Sequence, residues 1–500
     1  MTAIESILDS ALTAHAQDDV EKAMALYGRA LAAIPDYHHP ANKPGDDSFD
    51  RPRPLANSET INAVIERLSY SEEDPVTAAA LRAGFLRISG DPVGAIALCR
   101  EAMKTTPVTV LSTLTLGLAY FDAHEFDDAV ATLSDGVARF PDNASLRNHL
   151  GGAQRDASQF DAAIESFRVA GAAGLAIAQA NYGAMLREAG KARDAIAVFR
   201  DLLARNIDAP KIAHNLCIAL MSIGEDKAAV EAGKQAVADA PDFDDYNCYG
   251  SALLAHDAYE AALAAFEKSL TMNPRGVTAL AMISGALAGV GRDDDVRSLI
   301  DFGRFLKPIS VRAPVGYDDL AAFNNAIYDD AIDFPGQPGN ERQTLDLAED
   351  PHGALATLKT IIHQAVGHYI DQTPDDPGHP FTAYKPKQWD LHIWATREKT
   401  LPYQFPHIHP HGWVSGIYYP RVPKFSAPSS GNTPNNEFPG HVEFLRFLQF
   451  SNRPVLSESV RIPAEEGLMV LFPSYFHHGI NPFESDTPRM SIAFNAMPRD

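Results

Sequence analysis

The sequence predicts an α+β multidomain protein, with an all-α array of stacked helix pairs over residues 1–310 and a β-sandwich or barrel over residues 311–500. Three observations predict it. Prolines return at a near-constant interval through the first part, small residues stand at fixed offsets before them, and beyond Pro308 short alternating apolar runs between Gly and Pro joints replace the helical pattern.

The interval comes from Pro107, Pro141, Pro241, Pro274 and Pro308, separated by 34, 100, 33 and 34 residues. A repeat near 34 is the length of one helix–turn–helix unit. If each Pro closes a unit, Ala83, Gly117, Cys217, Gly250 and Ser284 fall where the two helices of a pair approach closely. Ala95, Ala129, Ala229, Ala262 and Val296, then Cys99, Leu133, Gly233, Phe266 and Ile300, repeat a small or apolar face. Two further units fit without a Pro, through Gly151, Ala163, Phe167 and Ala170 and through Gly183, Ala195 and Phe199. An isolated early unit fits through Ala23, Tyr27, Ala30 and Pro35. After it, the Pro- and Asp-rich stretch at about 37–58 reads as a surface insertion, and 59–70 as a helix leading back to the array.

This spacing resembles tetratricopeptide repeats over about residues 3–36 and 76–310, without the early Trp of that pattern. The resemblance implies a concave groove that takes a protein or peptide partner. Nothing in these residues names it.

Composition narrows the partners. A formal charge of -23 opposes phosphate backbones and anionic lipid surfaces, so no nucleic acid and no membrane is expected. Apolar residues at 45% and charged residues at 21% are ordinary globular values for a chain long enough to bury a sizeable core. Cys99, Cys217 and Cys248 lack metal-type spacing and read as reduced core residues. The start of the chain has no basic-then-apolar pattern, and no long apolar run occurs, so a cytoplasmic location is expected.

In the second part a helix is expected at 354–370 and strands at 389–395, 414–419, 443–450, 468–472 and 489–495. His407 and His409 stand two apart, so on an extended chain both rings project from one face, as two ligands of one metal must. Pro410 leaves the continuation to His411 uncertain. A distant third ligand is offered by the His477–His478 pair that follows an apolar strand. Past it, alternation puts Arg489, Ser491, Ala493 and Asn495 on one strand face and Met490, Ile492 and Phe494 on the other.

The combination of His407-x-His409, Ser415-Gly416-Ile417-Tyr418-Tyr419, His478 and Arg489 resembles the 2-oxoglutarate and Fe(II) oxygenase superfamily, in a subgroup with a His-x-His pair. The resemblance implies a double-stranded β-helix, jelly-roll or cupin-like in build, with His407, His409 and His478 binding Fe(II). It also implies Arg489 on the distal carboxylate of 2-oxoglutarate, assisted by Ser491 and Tyr418, and O2 as co-reactant. Most members carry a carboxylate where His409 stands, so the ligand set departs from the two-His, one-carboxylate triad and by itself also suits other metals. His477 is the alternative to His478. Glu443 is an alternative carboxylate, read first as a solvated strand-face residue. Two other functions stay open: a cupin-type metal enzyme without 2-oxoglutarate, whose second motif residues 467–481 also resemble, and a non-catalytic repeat scaffold.

Overall fold

A computed structural model describes residues 75–499, apart from 89, 106–107, 208, 239–240, 335, 338–339, 350, 403, 427–437 and 447–457. The early repeat unit, the insertion at 37–58 and the helix expected at 59–70 lie outside the described residues. The chain divides into two compact units at the Ile223–Gly224 link.

The first unit stacks helix pairs: Pro75–Ile88 with Pro92–Thr105, Val110–Asp122 with Phe126–Arg139, Ala144–Asp156 with Phe160–Ala172, and Ala176–Glu188 with Ala192–Ala204, followed by Ile212–Met221. Each pair turns on one left-handed residue, Gly90, His124, Ser158 or Gly190, with φ between 59° and 90°. The next N–H then reaches back to the last helical turn, as from Lys191 to Leu186 O at 2.8 Å and Gln159 to Gln154 O at 2.7 Å, which satisfies an otherwise orphaned carbonyl.

Glycine is required where helices meet. A Cβ on Gly151 would stand 2.9 Å from the Phe167 ring and one on Gly183 2.7 Å from Phe199, each aromatic filling the notch its partner helix leaves. Gly183→Val is expected to lower stability by about 1–3 kcal/mol through overpacking. An unfolding midpoint equal to the parent's would show that the two helices part without cost.

The second unit continues with Asp226–Ala236, Phe243–Ala255 paired with Tyr259–Met272, and Val277–Gly289 paired with Asp293–Leu299. Gly250 meets Phe266 at 2.7 Å in the same manner. The small and apolar positions expected from the period are buried, among them Ala83, Ala95, Ala129, Ala229, Ala262, Ser284 and Ile300. The three cysteines are buried thiols, and burial pushes the Cys99 thiol up to about 12.

Pro308 does not close a repeat. Asp293–Leu299 stops after two turns, Asp301 caps the single turn Phe302–Phe305 through the Arg304 N–H at 3.0 Å, and the chain then extends into strand β1, Lys307–Ser310. Pro308 is tolerated there because β1 is an edge strand, where a missing N–H breaks no central ladder. The change from helix to sheet therefore begins at Lys307, inside the second compact unit and four residues before the expected boundary.

The sheet region has strands β2 (Gly336–Gln337), β3 (Asn340–Thr344), β4 (Trp389–Leu401), β5 (Val414–Arg421), β6 (Val442–Leu445), β7 (Ser459–Ile462), β8 (Leu468–Pro473), β9 (His477–Ile480) and β10 (Phe483–Pro498). They form an antiparallel sheet of order β1-β8-β5-β10-β4-β3-β2 and a smaller one of order β7-β6-β9, a jelly-roll arrangement. The five expected strands are present, while β1, β2, β3, β7 and β9 were not expected.

Helices Leu320–Ile332 and Gly353–Gln372 supply buried residues such as Phe323, Ile327, Leu358, Ile362 and Val366 to the core. That core runs without a break from Leu253 to Ala496, so the last repeats and the sheet share it. Side chains of the sheet region also bond the carbonyls left open by the final short helices: Tyr475 Oη to Leu299 O at 2.6 Å, Arg446 Nη1 to Ile300 O at 2.5 Å and Tyr369 Oη to Phe305 O at 2.8 Å. No helix among the described residues is long and apolar enough to cross a membrane.

Candidate metal centre

The chain before β5 is zipped to the turn entering β9. His407 and His478 exchange backbone hydrogen bonds of 2.9 and 3.0 Å, and His409 N–H donates to Ser474 O at 3.0 Å. Two segments about seventy positions apart thereby present imidazoles to one point. The candidate ligand nitrogens of His407, His409 and His478 all lie within 4.8 Å of one another.

Tautomers follow from the neighbours. His478 Nδ1 is 2.9 Å from Phe476 O, and a carbonyl only accepts, so Nδ1 carries the hydrogen and Nε2 a lone pair. That Nε2 faces His409 Nε2 at 3.1 Å, with the rings nearly parallel at 13°. That lone pair can take an N–H from His409 or share a cation with the His409 nitrogen. Burial, reinforced by the neighbouring imidazoles, pushes His409 down to about 3 and His478 well below the ordinary value. Burial also lowers His407, against its backbone bond to Phe405. All three rings are thus neutral near pH 7, the form a metal needs.

His477 is not in this cluster. It pairs with Leu445 and occupies the opposite strand face from His478, buried, with neither ring nitrogen partnered among the described residues. His411 also stays outside the cluster. Glu443 departs from its expected solvation: it is buried, accepts from the Ser459 hydroxyl at 2.7 Å and pairs with Arg461 at 2.6 Å. Its neighbour Phe444, paired with His478, takes the face toward that ring, which turns Glu443 away. Among the described residues no carboxylate joins the three imidazoles.

Arg489 is 1% exposed in β10, across from Glu398 of β4 and 3.6 Å from its carboxylate, with its guanidinium 4.8 Å from the Phe483 ring centre. Among the described residues, its Nε and Nη1 have no hydrogen-bond partner, and neither has the buried hydroxyl of Tyr419. Each such group costs on the order of 1–3 kcal/mol when left unsatisfied. A carboxylate is the acceptor a guanidinium pairs with most strongly. Ser491 lies one rung on and shares a 2.7 Å hydrogen bond with Thr396.

Tyr418 is a correction. Its hydroxyl donates to Asn324 Oδ1 at 2.5 Å on the helix-covered side, and it pairs in register with Ile492 of the apolar face. Tyr419, next along the strand, feels the Arg489 charge. Sequence reasoning also missed the β4 residues His392, Trp394, Thr396 and Glu398, whose face is fixed by pairing with Asn495, Ala493, Ser491 and Arg489. The Trp394 ring centre is 5.8 Å from that of His409. Alternation within β4 was the available signal, but it lacked a partner strand to say which face is inner.

Three clustered imidazoles that could hold a metal ion and a buried guanidinium thus stand in a jelly roll that follows helical repeats along the chain. Residues 392–495 match the family described as "Putative 2OG-Fe(II) oxygenase", and residues 114–176 match the family described as "Tetratricopeptide repeat". Similar solved structures include a tetratricopeptide repeat protein from Parabacteroides merdae, at 11% identity over 57% of this chain and 100% of that one, TM-score 0.35. Others are the APC/C hetero-tetramer Cut9-Hcn1, at 13% over 57% and 52%, TM-score 0.39, and MamA from Desulfovibrio magneticus, at 18% over 30% and 89%, TM-score 0.27. The chain has no match among curated proteins.

Proposed function

We propose that the jelly-roll region, residues 311–500 with β1, is an Fe(II)- and 2-oxoglutarate-dependent dioxygenase that hydroxylates a protein or peptide recruited by the helical repeats of residues 1–310. The observation that carries this reading is the pairing of a three-imidazole cluster with a buried guanidinium whose Nε and Nη1 have no hydrogen-bond partner among the described residues. His407, His409 and His478 would hold the metal through one nitrogen each, leaving the remaining positions open. Arg489 would grip the distal carboxylate of 2-oxoglutarate, with Tyr419 donating its hydroxyl and Ser491 beside it.

When bound, Fe(II) with 2-oxoglutarate and O2 supplies an oxidation that yields succinate, CO2 and one oxygen atom inserted into a substrate C–H bond. The chain's own part is to keep the imidazoles neutral, orient the keto-acid from its far end and exclude water around the guanidinium, where a charge-assisted pair is stronger than in solvent. Recruitment is supported by a concavity of ≈ 260 Å³ in the first unit, with Leu118, Phe121, His149, Phe167, Asn181 and Met185 in its lining. Its mix of apolar floor and amide or imidazole edges suits a peptide.

The test is succinate release from 2-oxoglutarate by iron-loaded protein in air. Formation that stops on chelation supports the reading. Neither succinate nor an absorption band of an Fe(II)–keto-acid complex would overturn it.

A further inference from the structure

We propose that Asn495 is a second keto-acid contact, its carboxamide NH2 donating to an oxygen at the metal-binding end of the ligand, opposite the end held by Arg489. This rests on the reading above.

Asn495 shares the inner face of β10 with Arg489, Ser491 and Ala493 and is 8% exposed. Its Oδ1 accepts from the Ser415 hydroxyl at 2.8 Å, and that hydroxyl is 2.7 Å from the Ser474 hydroxyl. A hydroxyl has one hydrogen, so with Ser415 donating to Asn495, Ser474 must donate to Ser415. With Oδ1 taking the Ser415 hydrogen, the NH2 is turned away from Ser415. The NH2 then has no partner among the described residues.

Position ties the amide to the metal cluster. The backbone carbonyl of Ser474 holds His409 N–H at 3.0 Å. Gly412 fits between these groups only because it lacks a side chain: a Cβ there would stand 2.5 Å from Ser474 Oγ and 3.4 Å from Asn495 Cβ. The amide therefore stands beside the His409 segment, while Arg489 is six residues away along the strand. A keto-acid with carboxylates at both ends needs a donor at each. The neutral amide supplies one where imidazoles carry no hydrogen to spare.

Manganese-loaded protein, which binds without turning over, is titrated calorimetrically with 2-oxoglutarate and with pyruvate, which keeps the keto-acid end but has no distal carboxylate. Asn495→Ala is expected to weaken both ligands on the order of 10-fold. The isosteric Asn495→Asp, which keeps the acceptor for Ser415 but removes the donor, is expected to weaken both further. Arg489→Lys should weaken 2-oxoglutarate and leave pyruvate near its original affinity. Manganese stoichiometry equal to the parent's shows that each variant is folded at the site. Unchanged affinity of both Asn495 variants for both ligands, or a loss confined to 2-oxoglutarate, overturns the inference and leaves the proposed function standing. Absence of 2-oxoglutarate binding in the unaltered protein overturns the function itself.

Discussion

Replacing His478 by alanine is expected to cost at least about 100-fold in affinity for Fe(II) or Mn(II), since loss of mere supporting partners of a metal ligand already costs about 10–100-fold. Metal content after equilibrium dialysis reads this directly. The folded state should survive, because the strand pairing of this segment with His407 is made through backbone atoms that the change keeps. Stoichiometric metal in the variant, at the parent's affinity, would remove His478 from the ligand set.

The same measurement against pH has a defined sign. Protons compete with a metal only below the folded-state pKa of its ligands, and burial lowers all three imidazoles, His409 to about 3. Metal affinity should therefore stay flat as pH falls from 8 through 6.5, the ordinary histidine value, and decline only below it. A midpoint at or above 6.5 would mean that the rings are solvated.

Arg489→Met is expected to reduce 2-oxoglutarate affinity at least about 100-fold while leaving metal binding intact. Two charge-assisted hydrogen bonds are at stake, at roughly 1.5–3 kcal/mol each. Calorimetry on the manganese form separates the two quantities. Equal affinity in variant and parent would reduce Arg489 to a structural partner of Glu398.

How far the sequence could be read depended on whether a feature is local. The repeat was legible because the units carry their own small-residue notches and left-handed turns, as at Gly183, which Phe199 fills, and Gly190. His407 and His409 were legible as a pair by their spacing, and the inner face of β10 by alternation. Choosing between Tyr418 and Tyr419 was not, because the β5–β10 register shifts between Met490 and Ile492, and only the partner strand says which tyrosine points inward. Glu443 was misjudged for a related reason: its counter-ion Arg461 sits on β7, a four-residue strand with too little alternation to announce itself. Pro308 looked like one more repeat terminator because Pro marks both a helix end and an edge strand.

The shared core of the final repeats and the sheet bears on how this architecture ends. A solenoid normally finishes in a specialised helix with a water-facing side, because an ordinary unit leaves its apolar flank bare. Here the jelly roll takes that place: Tyr475, Arg446 and Tyr369 bind the terminal carbonyls, and the apolar flank continues into sheet residues such as Phe476. The sheet region thus doubles as the terminus of the final repeats, and separating the two at residue 310 would expose a raw surface on both pieces.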